Sequence, residues 1–209
     1  MHTAQAVNSK GNEMNIYILL DRSGSMETMW NEALGSINGY IKKLKKSDQI
    51  HLAAFDNVSH DIVRDCKAKD WKDITREEIN PRGGTPLYDS CGKIMTLAES
   101  YGGKKALLVV MTDGYENASQ EYTQAAIKAK VKSWEEKKWE VVFLGANFDS
   151  VETVSGSVGV ASGKTLNYGA GNFARGMDML STVTAAYATT GASINFTDAD
   201  KQALKSATS

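Results

Sequence analysis

Apolar residues gather in short continuous runs, separated by longer stretches where they recur at helical spacing. Residues 14–20 (MNIYILL) form a compact run of strand formers that ends abruptly at Asp21-Arg-Ser-Gly-Ser25. Residues 49–56 (QIHLAAFD), 106–112 (ALLVVMT) and 140–145 (EVVFLG) repeat this pattern. The run at 106–112 does not alternate, which implies a strand buried on both faces, as in a parallel sheet. Residues 58–65 are more polar and predict an edge strand paired with 49–56 across Asp56 and Asn57; 165–168 predicts a short edge strand.

Between these runs the period changes to that of a helix. Met26, Trp30, Ala33, Leu34, Ile37, Ile41 and Leu44 mark one buried stripe over 27–46, with Lys42, Lys43, Lys45 and Lys46 in its last turns. Gly83-Gly84-Thr85-Pro86 opens a second helix with Pro86 at the first helical position and Leu87, Cys91, Ile94 and Ala98 inward. Residues 118–138 carry a stripe of Ile127, Val131 and Trp134, and 172–190 one of Phe173, Met177, Leu180 and Tyr187. Shorter helices are expected over 148–160 and 198–207, the latter capped by Thr197 or Asp198. Residues 66–82 form a connector without regular pattern, and 1–13 a flexible leader. Strands alternating with helices predict an open α/β sheet, mostly parallel, in a single domain over 14–209. The runs at 14–20 and 106–112 are the most apolar and belong side by side at its centre.

Composition narrows the function. The 209 residues are 42% hydrophobic, enough for a sizeable core, and 24 basic against 25 acidic residues leave a net charge of −1. A dedicated nucleic-acid binder shows a strong positive excess, so no nucleic-acid partner is expected. The lysines at 42–46 and 128–138 read as solvated helix faces. Cys66 and Cys91 are too few for a disulfide scaffold and lack the spacing of a zinc site. The first residues lack the pattern of a secretory signal, and no apolar stretch approaches the roughly 20 residues that cross a bilayer. A cytoplasmic protein with no membrane association is expected.

In open α/β sheets, sites form beyond the carboxyl ends of the strands. There the polar residues gather: Asp21, Ser23 and Ser25 after the first strand, Thr85 before the second helix, and Asp113 after 106–112. Two carboxylates brought together in a poorly solvated rim repel, and one takes up a proton unless a cation lies between them. Two carboxylates with three hydroxyls make a hard-oxygen set. It suits octahedral Mg²⁺, or Mn²⁺, better than Ca²⁺, and it lacks the nitrogen and sulfur ligands of zinc.

These residues resemble the metal-ion-dependent adhesion site (MIDAS) of von Willebrand factor A (VWA) domains. Asp21-x-Ser23-x-Ser25, Thr85 in GGTP, and Asp113 in Thr-Asp-Gly occur in the family's order over residues 14 to about 190. The segments GGTPLYDS and LLVVMTDGYEN look most like stand-alone bacterial and phage members. The resemblance implies a Rossmann-like sheet with one antiparallel edge strand and helices on both faces. It also implies Ser23 and Ser25 as direct ligands, Thr85 as direct or water-mediated, and Asp21 and Asp113 acting mostly through water. The metal position left open would take an Asp or Glu carboxylate from a protein partner.

Other readings are weaker. Residues 159–165 (GVASGKT) lack the first glycine of a phosphate loop, because Val158 stands there, and precede a strand instead of a helix. Gly169-Ala-Gly171-Asn-Phe-Ala174 fits G-x-G-x-x-A, but no acid-bearing strand follows, so it reads as a turn and helix start. A haloacid-dehalogenase-type phosphatase needs Asp two residues after its nucleophile, where this chain has Ser23, and no nucleophile elbow is present. The chain reads as a binding module and not an enzyme. A metal-dependent hydrolase and a scaffold with a purely structural metal stand as the alternatives.

Overall fold

The computed structural model describes residues 13–146, 148, 151–169 and 171–205; the leader is therefore outside the described residues, Glu13 excepted, as is the end of the last predicted helix. The strands are β1 (Asn15–Asp21), β2 (Gln49–Phe55), β3 (His60–Lys67), β4 (Ala106–Thr112), β5 (Glu140–Ala146) and β6 (Thr165–Tyr168). The helices are α1 (Trp30–Lys42), α2 (Leu87–Tyr101), α3 (Gln124–Glu136), α4 (Val151–Ser157), α5 (Phe173–Thr190) and α6 (Asp198–Lys205).

The strands form one sheet in the order β3-β2-β1-β4-β5-β6. Every pairing is parallel except that of β2 with β3, which is antiparallel. The two most apolar strands lie side by side at the centre, as the sequence predicts, with Leu20 opposite Met111. Alternate residues of each strand serve separate cores. Ile16, Ile18 and Leu20 of β1 with Leu107, Val109 and Met111 of β4 pack under α1 and α5, around Trp30, Ile37 and Leu180. Tyr17 and Leu19 with Leu108 and Val110 pack under α2 and α3, around Ile94, Ile127 and Trp134. Two-sided burial is why these strands carry no polar alternation.

Trp139 stacks edge-on against Trp134 with ring centroids 5.0 Å apart, and the indole N–H of Trp71 donates to Asn38 Oδ1 at 3.1 Å. Trp139 is buried and Trp71 half-buried. His51 lies face to face with Tyr17, centroids 4.4 Å apart, inside the sheet layer.

Several boundaries differ from the sequence expectation; β3 runs on to Lys67 into the expected connector, and α4 covers only Val151–Ser157 of the expected 148–160. A 3-10 turn over Gly24–Met29 precedes α1, and α1 ends at Lys42, so Lys45 and Lys46 lie beyond it. Pro86 occupies the N-cap of α2, one residue before the helix begins. Helix α3 starts at Gln124, six residues later than its apolar pattern suggests. The reason is a competition for backbone donors. Glu116 Oε1 takes the N–H groups of Ala118 and Ser119, and the Asp89 carboxylate takes those of Gln120, Glu121 and Tyr122 at 2.8–2.9 Å. With those donors engaged by side chains, helix begins only where Thr123 Oγ1 caps Ala126 N–H.

Asp89 therefore pins the loop that leads away from β4. It is buried, and the three N–H groups help hold its carboxyl below the usual carboxylate range against the opposing effect of burial. Asp89→Ala should cost about 3 kcal/mol in urea unfolding at pH 7, since it strands three donors at once. A depressed folded-state pKa gives stability that is present above the ordinary carboxylate value and lost below it. The deficit should therefore shrink as pH falls below about 4.

Candidate metal centre

The carboxyl ends of β1 and β4 carry the site. Asp21 is the last residue of β1, and its side chain is withdrawn from solvent. Its Oδ1 accepts the Ser23 N–H at 2.7 Å, which folds the chain into a turn. Its Oδ2 accepts the Thr112 hydroxyl at 2.6 Å, across the β1–β4 boundary. Ser23 and Ser25 approach each other at 3.1 Å through their hydroxyls, and Ser25 Oγ donates to Asp113 Oδ1 at 2.6 Å. Thr85 completes the group. Its Oγ1 stands 2.7 Å from where a Cβ on residue 114 would lie, so only Gly114 permits this approach. Hydrogen bonds thus link Asp21, Ser23, Ser25 and Asp113, four of the residues that the sequence singles out, and Thr85, the fifth, lies against Gly114 beside them. Ser23 and Thr85 are buried and Ser25 is exposed, so the cluster opens on one side.

The three loops are fastened to one another by main-chain bonds. Gly24 N–H donates to the Gly83 carbonyl at 3.1 Å, Arg82 N–H to the Arg22 carbonyl at 2.6 Å, and Asn117 N–H to the Thr85 carbonyl at 3.1 Å. Side chains add to this. Arg22 and Arg82 each place Nε 2.7 Å from Asp56 Oδ2, and Asn117 Oδ1 accepts the Thr85 N–H at 2.9 Å. Thr112, Asn117, Arg22 and Asp56 shape the cluster, and the sequence reading does not assign them. Thr112 alone carries a signal, as the polar residue closing an apolar strand. Near the C-terminus, Asp200 Oδ2 accepts the Thr197 N–H at 2.8 Å and its hydroxyl at 2.7 Å, at the start of α6.

Burial raises the carboxyl of Asp21 to about 6, against the lowering effect of its bonds from Thr112 and Ser23; the charge of Asp113 adds only the smallest contribution. Asp113 is also raised, chiefly by burial. Desolvation, more than the mutual repulsion expected from the sequence, is what disfavours the charged pair.

The donor set fits a hard cation. Two carboxylates held in a desolvated rim lack compensating charge, and hydroxyl oxygens stand around them. Among the described residues no three His, Cys, Asp or Glu are grouped to hold a metal, so any metal here depends on the hydroxyls of Ser23, Ser25 and Thr85.

A group raised in the folded state lowers stability as pH climbs from its ordinary value through the raised one. In metal-free buffer Asp21→Asn should therefore be more stable than the wild-type chain at pH 7.5, by up to about 3 kcal/mol. The gain should vanish near pH 4. The amide keeps both contacts: its oxygen accepts from Ser23 and its nitrogen donates to Thr112, whose proton can turn to the Gly114 carbonyl 3.3 Å away. Urea unfolding in EDTA at the two pH values checks this, and an equal effect at both would contradict it.

Solved structures share the fold at low identity. The vWF domain of the type V pili tip protein Mfa5 from Porphyromonas gingivalis has a TM-score of 0.67 and 10% identity, covering 88% of this chain and 98% of that one. A von Willebrand factor type A structure from Catenulispora acidiphila has a TM-score of 0.59 and 14% identity, covering 83% of this chain and 43% of that one. Proximal thread matrix protein 1 from the mussel byssus, with a zinc-occupied MIDAS motif, has a TM-score of 0.58 and 12% identity, covering 85% of this chain and 45% of that one. This chain thus spans less than half the length of the latter two. No curated protein matches the sequence. The family described as "VWA domain containing CoxE-like protein" matches residues 4–144, more than half of the chain. The protein belongs to that family of VWA-domain, CoxE-like proteins.

Proposed function

We propose that the protein is a Mg²⁺-dependent binding module that captures an Asp or Glu carboxylate of a protein partner, and that it catalyses no reaction. The observation that supports this reading is the hydrogen-bonded chain of Asp21, Ser23, Ser25 and Asp113, with Thr85 packed against Gly114 and Ser25 exposed to solvent. Ser23, Ser25 and Thr85 supply neutral oxygens, while Asp21 and Asp113 supply negative charge. When bound, the cation supplies a Lewis-acidic position for an external carboxylate, because only two of its surrounding side chains are anionic. Mn²⁺ fits the same oxygens and Ca²⁺ fits them less well.

The chain's own part is preorganisation. Thr112 fixes the rotamer of Asp21, and Asn117 grips the backbone of Thr85 from both its N–H and its carbonyl. Ser23 stands where a dehalogenase-type phosphatase would need its general acid, which supports binding over hydrolysis. No helix among the described residues is long and apolar enough to cross a membrane. Cys66 and Cys91 are both free, which supports a reducing, cytoplasmic setting.

Calorimetric titration with Mg²⁺ should give binding to the wild-type chain and none to Asp21→Ala or Asp113→Ala. Affinity capture from a lysate of the source organism should then retain a partner only on the wild-type chain in Mg²⁺, and release it in EDTA. Mg²⁺ binding with identical captures in all conditions would reduce the metal to a structural role. Metal-dependent turnover of a generic phosphate ester would overturn the non-enzymatic reading.

A further inference from the structure

A cleft of about 520 Å³ opens beside the cluster, between the β2–β3 turn, the first two turns of α2 and the 117–121 loop. It starts where the cluster ends, since Pro86, directly after Thr85, lines it. Two asparagines belong to both. Asn57 Oδ1 accepts the Gly84 N–H at 2.8 Å, and Asn117 Oδ1 accepts the Thr85 N–H at 2.9 Å. A Cβ on residue 83 would stand 2.1 Å from Asn57 Oδ1, and one on residue 84 would stand 3.0 Å from Asn117 Oδ1. The two glycines of GGTP are thus what let both carboxamides close on the backbone.

Each exposed carboxamide spends its oxygen on the chain and keeps its NH₂ donor. The cleft's acids are largely engaged from within: Asp56 by Arg22 and Arg82, and Asp89 by three backbone N–H groups. Lys93 pairs with Glu121 at the surface, their side chains 40% and 58% exposed, which makes the pair weak and exchangeable. Asn57 and Asn117 therefore face the cleft with NH₂ donors, and Val58, 73% exposed, offers an apolar contact in the same wall. A guest that suits this lining is rich in acceptors and carries modest apolar side chains. The carbonyls of an extended peptide meet that description, and the volume falls within the usual range of ligand sites.

We infer that this cleft is a peptide groove. It takes the extended partner segment on one side of the metal-directed Asp or Glu, with main-chain carbonyls accepting from Asn57, Asn117 and Lys93. The inference rests on the carboxylate capture proposed above, and it assigns the partner's chemistry: an acid followed or preceded by an extended strand, not an isolated surface carboxylate.

The test selects linear peptides with a fixed central Asp and random residues on both sides against the full chain in Mg²⁺. An enriched peptide is then measured by calorimetry against the wild-type chain, Ala118→Trp, which fills the groove, and Lys93→Ala. Acetate is the groove-independent probe. Expected are sequence enrichment on one side of the Asp only, at least a tenfold loss of peptide affinity in Ala118→Trp, and a smaller loss in Lys93→Ala. Both variants should bind Mg²⁺ and acetate as the wild type does. Undiminished peptide binding by Ala118→Trp would overturn the groove while leaving metal-dependent capture intact. A library that yields no enrichment beside a wild-type chain that still binds acetate in Mg²⁺ would overturn the groove alone, and a peptide that binds equally after its Asp is changed to Asn would overturn both.

Discussion

A carboxylate shut away from water stands at the head of the central strand, and much of the surrounding structure is arranged to tolerate it. Asp21 cannot be solvated, so its oxygens are held by a backbone N–H on one side and the Thr112 hydroxyl on the other. The first contact bends the chain into the Ser23–Ser25 turn; the second ties β1 to β4 at their carboxyl ends. These bonds lower the cost of burying the charge without cancelling it, and burial still pushes the Asp21 carboxyl up to about 6. A site built in this way is poised to gain from any cation that enters.

The second requirement is that loops from distant parts of the chain hold one shape without forming regular structure. Here the backbone donors and acceptors of three loops are satisfied mutually, through Gly24 with Gly83, Arg82 with Arg22 and Thr85 with Asn117. Ionic contacts reinforce the arrangement where the buried Asp56 receives Arg22 and the half-exposed Arg82. The same economy explains the late start of α3. Side chains of Glu116 and Asp89 take over the donors that a helix would have used, and the freed segment becomes one wall of the cleft beside Thr85.

Much of this was legible from residue order alone. Unbroken apolar runs at β1 and β4 announced two-sided burial and a central position, and the polar residues directly after them announced the site. The five candidate residues stand out in the sequence because each sits next to the end of a predictable element. What stayed hidden depends on partners far apart in sequence. Nothing near Asp56 indicates that two arginines, 34 and 26 residues away, converge on it. Nothing at Asn57 or Asn117 announces that glycines at 83 and 84 leave room for their carboxamides. Boundaries failed where side chains outcompeted the helix for backbone hydrogen bonds, a contest that apolar periodicity does not record.

The parallel pairing of the two central strands has a mechanical consequence. A partner pulling on the cluster would load β1 and β4 along their own axes, because the site sits on their ends. Each is flanked on both sides by parallel neighbours, β2 and β4 for β1, β1 and β5 for β4. Tension in that direction shears whole ladders of hydrogen bonds together instead of peeling them one by one. A grip at this position passes force into the part of the sheet best placed to resist it.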